Sequence, residues 1–148
     1  MPKTPATATP EADSLRNMVQ TFRDKAKMIL QAEMISNKLQ ELFNAKASVT
    51  ETEKSIKNCE KTLEVINYDI KKLDKDHPYY DSRLETKEEM IKNAETDIKY
   101  YKESLERCVK CVTEINESIT KIEAGEVKVS IERVKLYTDE MIAAEKLA

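Results

Sequence analysis

The chain has 148 residues, a net charge of −3 and a single glycine, and 36% of its residues are charged while 5% are aromatic. Because turns need Gly and Pro, this composition excludes a sheet or a compact α/β fold and predicts an all-α protein of long helices without a thick core. Basic and acidic side chains are evenly mixed, 12 and 11 in residues 10–75 and 8 and 10 in residues 82–123, so we expect neither nucleic acid nor an anionic membrane surface as a direct partner.

The N-terminal part of the chain predicts a short tail followed by a long helix. Residues 1–9 contain two prolines and no apolar period, so we expect a disordered tail there. The Thr9-Pro10-Glu11 sequence predicts a helix start, because threonine caps free amides, proline is tolerated in the first turn and glutamate favours the positive end of the helix dipole. The apolar residues that follow form a broad stripe suited to packing against two or more helices. They are Leu15, Met18, Val19, Phe22, Ala26, Ile29, Leu30, Ala32, Met34, Ile35, Leu39, Leu42 and Phe43.

The heptad phase slips in residues 45–50, where two apolar positions are six residues apart instead of seven. Two capping boxes also fall in this region, Ser48 with Glu51 and Thr50 with Glu53. The helix therefore either continues with a stammer-like irregularity or breaks in two, and we favour continuation.

Two strict heptad stripes flank one sharp turn. The first stripe is Val49, Thr52, Ile56, Cys59, Leu63, Ile66, Ile70 and Leu73. The second is Leu84, Lys87, Ile91, Ala94, Ile98, Tyr101, Leu105, Cys108, Val112, Ile115, Ile119 and Ile122. Between them, Pro78 stops the first helix because proline disfavours helical geometry in the preceding residue. The pattern predicts an antiparallel coiled-coil hairpin over residues 10–123, with its turn near residues 74–81 and each stripe partly covering the other.

The turn also predicts where the second helix starts and how the two stripes align. Pro78 can open the second helix, and Ser82 with Glu85 forms a further capping box. Folding at Pro78 places Ile66 near Ile91. By the same count Leu63 lies near Ala94, Cys59 near Ile98, Ile56 near Tyr101, Val49 near Cys108 and Leu42 near Ile115.

The C-terminal part, residues 126–148, predicts a shorter helix. Gly125 ends the second arm in the manner of a helix C-terminal cap. Residues 127–131 alternate with period two, which is also compatible with a short strand. We favour a helix from about Ser130 to Lys146, which either folds back on the bundle or extends to a neighbour.

The residue types needed for catalysis or metal binding are sparse. Cys108 and Cys111 lie one turn apart, but zinc would need two more ligands, and we interpret them as a core thiol and an edge thiol. The one histidine, His77, is interpreted as a turn residue. Catalysis needs a nucleophile, a base and an orienting group in a pocket, so we predict no enzyme, no catalytic or metal site and no cofactor.

The cellular compartment follows from the cysteines and the hydropathy. The chain has three cysteines, which is an odd number, and they lie within segments of helical apolar spacing, so we expect reduced thiols. No apolar run has the length of a membrane span, and no signal-peptide core is present. We therefore predict a soluble protein of a reducing intracellular compartment, cytoplasm or nucleus.

Two sets of residues are predicted to bind partner helices. The helix seam comprises Leu84, Ile91, Ile98, Tyr101, Leu105, Val112, Ile115, Ile119, Ile56, Leu63, Ile66 and Ile70. A second set, which we name the extra partner face, comprises Phe22, Ile29, Leu39, Phe43, Met90 and Val109. Two long helices alone bury little surface, so this face, together with Val65 and Tyr100 outside the seam and much of the Met18–Phe43 stripe, predicts further helices from partners or a second copy. The alternative is that the last helix of the same chain covers these residues.

The turn and its flanks carry a family resemblance. The segment from Ile66-Asn67 and Asp69 to His77-Pro78-Tyr79, between two long helical arms, resembles snapin-type subunits over residues 48–115. Those are small coiled-coil proteins of the multi-subunit complexes that build and position lysosome-related organelles. The helix–His-Pro–helix plan is also similar to subunit seven of the messenger-export THO complex and to a small spindle-attachment coiled-coil subunit. The longer C-terminal part and the N-terminal helix depart from the snapin pattern.

The leading functional hypothesis is a non-enzymatic coiled-coil scaffold subunit of a multi-subunit complex. It would bind other helical subunits through its heptad stripes, with a hetero-oligomer favoured over a homodimer. The alternatives are a prefoldin-like chaperone subunit and a self-associating homodimeric rod. A prefoldin-like subunit needs a β-hairpin between its two arms, and residues 74–81 are too short for one.

Overall fold

The computed structural model describes residues 10–147, and within them it contains three α-helices and no strand. Helix α1 is Pro10–Lys71, α2 is Tyr80–Glu123 and α3 is Ile131–Leu147. The predicted all-α helical hairpin with a shorter C-terminal helix is confirmed. The tail predicted for residues 1–9 lies outside the described residues.

The chain divides into two compact units. One, which we name the hairpin unit, is Glu41–Asn116. The other combines residues 10–40 with residues 117–147 and contains parts of all three helices. We name it the three-helix unit.

Helix α1 continues without a break through residues 45–50, as predicted. The alternative, in which the helix breaks and a capping box starts a new one, is wrong, because the hydroxyls of Ser48 and Thr50 bond back to the preceding helical turn. The Ser48 hydroxyl donates to the Asn44 carbonyl and the Thr50 hydroxyl to the Lys46 carbonyl, both at 3.2 Å. Inside a continuous helix these amides already have carbonyl partners, so the Ser and Thr side chains have none left to cap.

In the hairpin unit, the heptad stripes of α1 and α2 form the seam. The most deeply buried positions are Leu42, Thr52, Ile56 and Ile66 on α1, with Ala94 and Ile115 on α2. Lys87 Nζ lies 3.3 Å from Asp69 Oδ2, an ion pair that joins the two helices. The predicted alignment places Asp69 opposite residue 88, so this contact agrees with it to within one residue.

The turn between α1 and α2 is held by hydrogen bonds of its own side chains. Asp74 Oδ1 accepts the amide of Asp76 at 3.0 Å, and His77 Nδ1 accepts the amide of Tyr79 at 3.1 Å. Since α2 begins at Tyr80, the predicted helix start at Pro78 is wrong. The capping role of Ser82 is also wrong, because Ser82 lies inside the first helical turn and its carbonyl accepts the Thr86 hydroxyl.

In the three-helix unit, α3 packs against the N-terminal part of α1. Val134 of α3 forms a buried cluster with Ala26 and Leu30 of α1, and Tyr137 and Met141 are among the partly buried side chains around it. This contact buries part of the broad apolar stripe of α1. The alternative in which the last helix covers the uncovered apolar residues within one chain therefore holds for Ala26 and Leu30 of this stripe. It is wrong for Val65, Met90, Tyr100 and Val109, which are exposed.

Polar contacts add to this packing. Glu33 of α1 accepts hydrogen bonds from Arg133 Nη2 at 3.1 Å and from the Tyr137 hydroxyl at 3.0 Å. The Gln31 side-chain amide donates to the Ile122 carbonyl near the end of α2 at 2.7 Å. That carbonyl belongs to the last turn of α2, and it also accepts the Gly125 amide.

The connection from α2 to α3 contains the predicted glycine cap and no strand. Gly125 has a φ of 75°, its amide donates to the Ile122 carbonyl, and the Glu126 amide donates to the Lys121 carbonyl, both at 3.0 Å. This pair of bonds is a Schellman motif, which needs a left-handed residue at the position of Gly125. The Ser130 hydroxyl accepts the Arg133 amide at 3.4 Å, so Ser130 caps α3 and the favoured helical reading of this region is correct.

Candidate partner-binding surfaces

The predicted seam residues of the hairpin unit lie along the contact between α1 and α2. Ile56, Ile66 and Ile115 are buried. The others are partly buried, namely Leu63, Ile70, Leu84, Ile91, Ile98, Tyr101, Leu105 and Val112. The last seam residue, Ile119, is partly buried in the three-helix unit. These side chains therefore join helices of the same chain.

The seam forms a narrow core. Within residues 11–146, no large side chain is completely excluded from solvent. Heptad packing of two helices covers the a and d positions and leaves the flanking positions open, which accounts for the partial burial. A further helix placed along either flank would deepen the burial of the same seam residues.

The extra partner face is largely open to solvent. In the hairpin unit Phe43 is 69% exposed, Val109 48% and Met90 42%. In the three-helix unit Ile29 and Leu39 are also exposed, whereas Phe22 is partly buried. These are large apolar side chains, and aromatic residues and methionine are enriched where proteins associate.

Heptad positions assign the exposed side chains of the hairpin unit to two flanks. Phe43 and Val109 fall at positions b and e, on one side of the seam. Val65 and Met90 fall at positions c and g, on the other side, and the alignment of the hairpin brings them within about two residues of the same level. Each flank therefore carries its own pair of apolar side chains.

A surface groove of about 320 Å³ lies on the flank of Val109. Its apolar lining comes from the seam residues Val49 and Val112 and from Val109 itself, and Lys46 and Glu53 line it from α1. The groove gives an apolar side chain from another helix direct access to the seam, with one cation and one carboxylate beside it.

The three-helix unit has a second groove, of about 440 Å³, between α1 and α3. Val19 of α1 and Val134 and Ile142 of α3 line it, with Arg23 and Lys27 on the α1 wall. Sequence reasoning missed this groove because the period of α3 does not indicate which part of α1 it contacts. It also missed exposed Tyr68, Met28, Ile131 and Leu136, since each stands outside a heptad stripe or on a face that was assumed to be covered.

The cysteines and the histidine are dispersed. Cys59, Cys108 and Cys111 are free thiols, and Cys111 is exposed. Among the described residues, no group of three or more His, Cys, Asp and Glu side chains is placed to hold a metal ion. In the same part of the chain, no helix combines the length and apolar character needed to cross a bilayer.

Comparison with known proteins identifies no relative. No family model matches the chain, and no curated protein or solved structure matches it significantly. The resemblance to snapin-type subunits therefore stays a prediction.

Proposed function

We propose that this protein is a non-enzymatic assembly subunit that binds helices of other proteins along the flanks of its hairpin unit. The observation that carries the proposal is the exposure of Phe43, Val109, Val65 and Met90 beside a seam that is only partly buried. Fully burying a side chain of this size contributes about 1.5–3 kcal/mol. A pair of such anchors on each flank suits binding of a partner helix along that flank.

The proposal assigns separate roles to the seam and the flanks. The seam holds α1 against α2, and the exposed flank residues contact the partner. The resemblance to subunits of multi-subunit complexes implies other helical subunits as partners, in preference to a second copy. No catalytic role is included, since one turn histidine and dispersed thiols offer no nucleophile, base and orienting group in one pocket.

The test is co-purification of the tagged full chain from its native source, with partners identified and quantified by mass spectrometry. Replacing Met90 and Val109 with Glu puts charges on both flanks while leaving the seam unchanged. We expect this double variant to keep its helix content and lose its stoichiometric partners. The matched control is Ala47→Glu with Thr96→Glu, which adds the same charge at exposed positions opposite the seam.

A second pair of substitutions addresses the seam itself. Ile98→Asp with Leu105→Asp places two carboxylates between α1 and α2, so it should open the hairpin and abolish association. Retention of all partners by both double variants would refute the proposal. A sharp melt that is monomeric and independent of protein concentration would instead favour a chain that is complete by itself.

The homodimeric rod is distinguished by sedimentation. A dimer formed by the purified chain alone, and lost in Met90→Glu with Val109→Glu, would favour self-association. The prefoldin-like alternative gains no support, because residues 72–79 connect the two helices through turns without a β-hairpin.

A further inference from the structure

The groove between α1 and α3 combines an apolar floor with positively charged walls. Val19, Val134 and Ile142 supply apolar lining, and Val134 also belongs to the buried cluster that joins the two helices. The floor is therefore continuous with the core of the three-helix unit. An apolar side chain entering the groove would extend that core.

The charges around the groove are predominantly basic. Arg23 and Lys27 of α1 and Lys135 of α3 line it, against one carboxylate, Asp139. Within residues 10–147, none of these three cations forms an ion pair. This local excess of positive charge occurs in a chain whose net charge is −3. The lining thus favours a ligand that is apolar along one face and acidic at its edges.

The dimensions fit a helix. Val19, Arg23 and Lys27 are spaced four residues apart, which extends about 12 Å along α1 at 1.5 Å per residue. A docking helix that presents apolar anchors at i, i+3 or i+4 and i+7 covers a similar length. Arg23 and Lys27 lie one helical turn apart, as do carboxylates at i and i+4 of a facing helix.

We propose that the α1–α3 groove binds an acidic amphipathic helix of a partner protein. Its apolar face would contact Val19, Val134 and Ile142, and its flanking carboxylates would pair with Arg23, Lys27 and Lys135. The inference rests on the proposed function and adds the chemistry of one partner. A single anionic headgroup would need cations gathered at one end, whereas these cations are spread over two walls and a full turn of α1, which favours a helix over an anionic amphiphile.

The test uses two labelled synthetic helical peptides and the full chain. Both peptides carry Leu at i, i+3, i+7 and i+10; one has Glu at the flanking positions and the other has Lys. We expect fluorescence anisotropy to give at least about ten-fold tighter binding of the Glu peptide at low salt, because several rim charges contribute together. The triple variant Arg23→Glu, Lys27→Glu and Lys135→Glu should reverse the preference between the two peptides.

A matched control separates the groove from the general effect of charge. Lys54→Glu, Lys61→Glu and Lys110→Glu change the net charge by the same amount at exposed positions of the hairpin unit. This control should retain the preference for the Glu peptide. Circular dichroism checks that both triple variants keep their helix content, as expected for substitutions at exposed positions.

Several results would overturn the inference. One is equal binding of the Glu and Lys peptides by the native chain, and a second is an equal effect of the two triple variants on the peptide preference. A third is displacement of the Glu peptide by dodecanoate, an anionic amphiphile, if dodecanoate binds more tightly than the peptide. A homodimer lost in the Arg23, Lys27 and Lys135 variant would assign the groove to a second copy and would also overturn it. If partners still depend on Met90 and Val109 while the peptide preference is absent, the inference fails and the proposed function stands.

Discussion

Leu30 is the buried side chain through which α1 contacts Val134 of α3, and its replacement by alanine should release α3 selectively. Leu30 is 2% exposed and lies in the cluster with Ala26 and Val134. The substitution removes the carbons beyond Cβ, each contributing about 0.8 kcal/mol when buried. Tyr137 and Met141 at the edge of the cluster are only partly buried, so water can enter and the cavity contribution is small. We therefore expect a loss of about 2–3 kcal/mol in the free energy that holds α3 in place.

Amide hydrogen exchange measured by mass spectrometry gives this quantity for each segment. Where exchange reports the opening equilibrium, the loss of free energy in Leu30→Ala lowers the protection factors of the amides in Ile131–Leu147 by about 30-fold to 150-fold. If α3 is released completely, these amides lose all protection. Amides in the seam of the hairpin unit should keep their protection, because Leu30 contributes nothing to that core.

Two exposed residues provide matched controls for this experiment. Met28 of α1 is 69% exposed and Leu136 of α3 is also exposed, so either one replaced by alanine removes an apolar side chain of similar size without a buried contact. Both controls should leave the exchange of α3 unchanged. Unchanged protection of α3 in Leu30→Ala, or an equal effect of Met28→Ala, would refute the packing described for this unit.

Three further predictions concern stability. Ile66→Ala should lower the free energy of unfolding by about 2–4 kcal/mol in urea titrations, whereas Val65→Ala, at an exposed neighbouring position, should change it by less than about 0.5 kcal/mol; equal effects would contradict the seam. Gly125→Ala should cost about 1–2 kcal/mol, because the φ of 75° is left-handed and, with nothing within 4 Å of a Cβ there, backbone strain is the main cost. Gly125→Asn should cost less, because asparagine adopts the left-handed conformation more readily than alanine. A thermal melt in which the Asn variant is less stable than the Ala variant would contradict this expectation. Glu33→Gln should cost less than about 1 kcal/mol, because the pair with Arg133 is largely exposed, and a loss that does not shrink in high salt would argue against an ionic contribution.

The heptad spacing predicted the hairpin well because helix periodicity determines which side chains share a face. Each position of the two stripes that lies in the hairpin unit is buried or partly buried, Lys87 included. The ends of the helices were predicted less reliably. A Ser or Thr followed by Glu caps a helix only where the preceding backbone leaves the helical conformation, and at Ser48 and Ser82 it does not.

The position of α3 could not be read from its sequence. Its apolar residues indicate a face but not the segment of α1 that covers it, and the α1 stripe from Leu15 to Phe43 offers several equivalent turns. The contact depends on pairs about one hundred residues apart, such as Glu33 with Arg133. The walls of the resulting groove come from two segments that are distant in sequence, so no local motif predicts the groove.

Lys87 is the one charged member of an otherwise apolar or uncharged stripe, and its pairing with Asp69 has a consequence for folding. Repeats of Ile, Leu and Val are nearly interchangeable, so two such helices can slide by seven residues and still match apolar faces. Such a shift would separate Lys87 Nζ from Asp69 Oδ2, now 3.3 Å apart, and break this ion pair. A polar residue at a single core position of a coiled coil specifies alignment at some cost in stability. The weak pair thus acts against misaligned hairpins more than it strengthens the correct one.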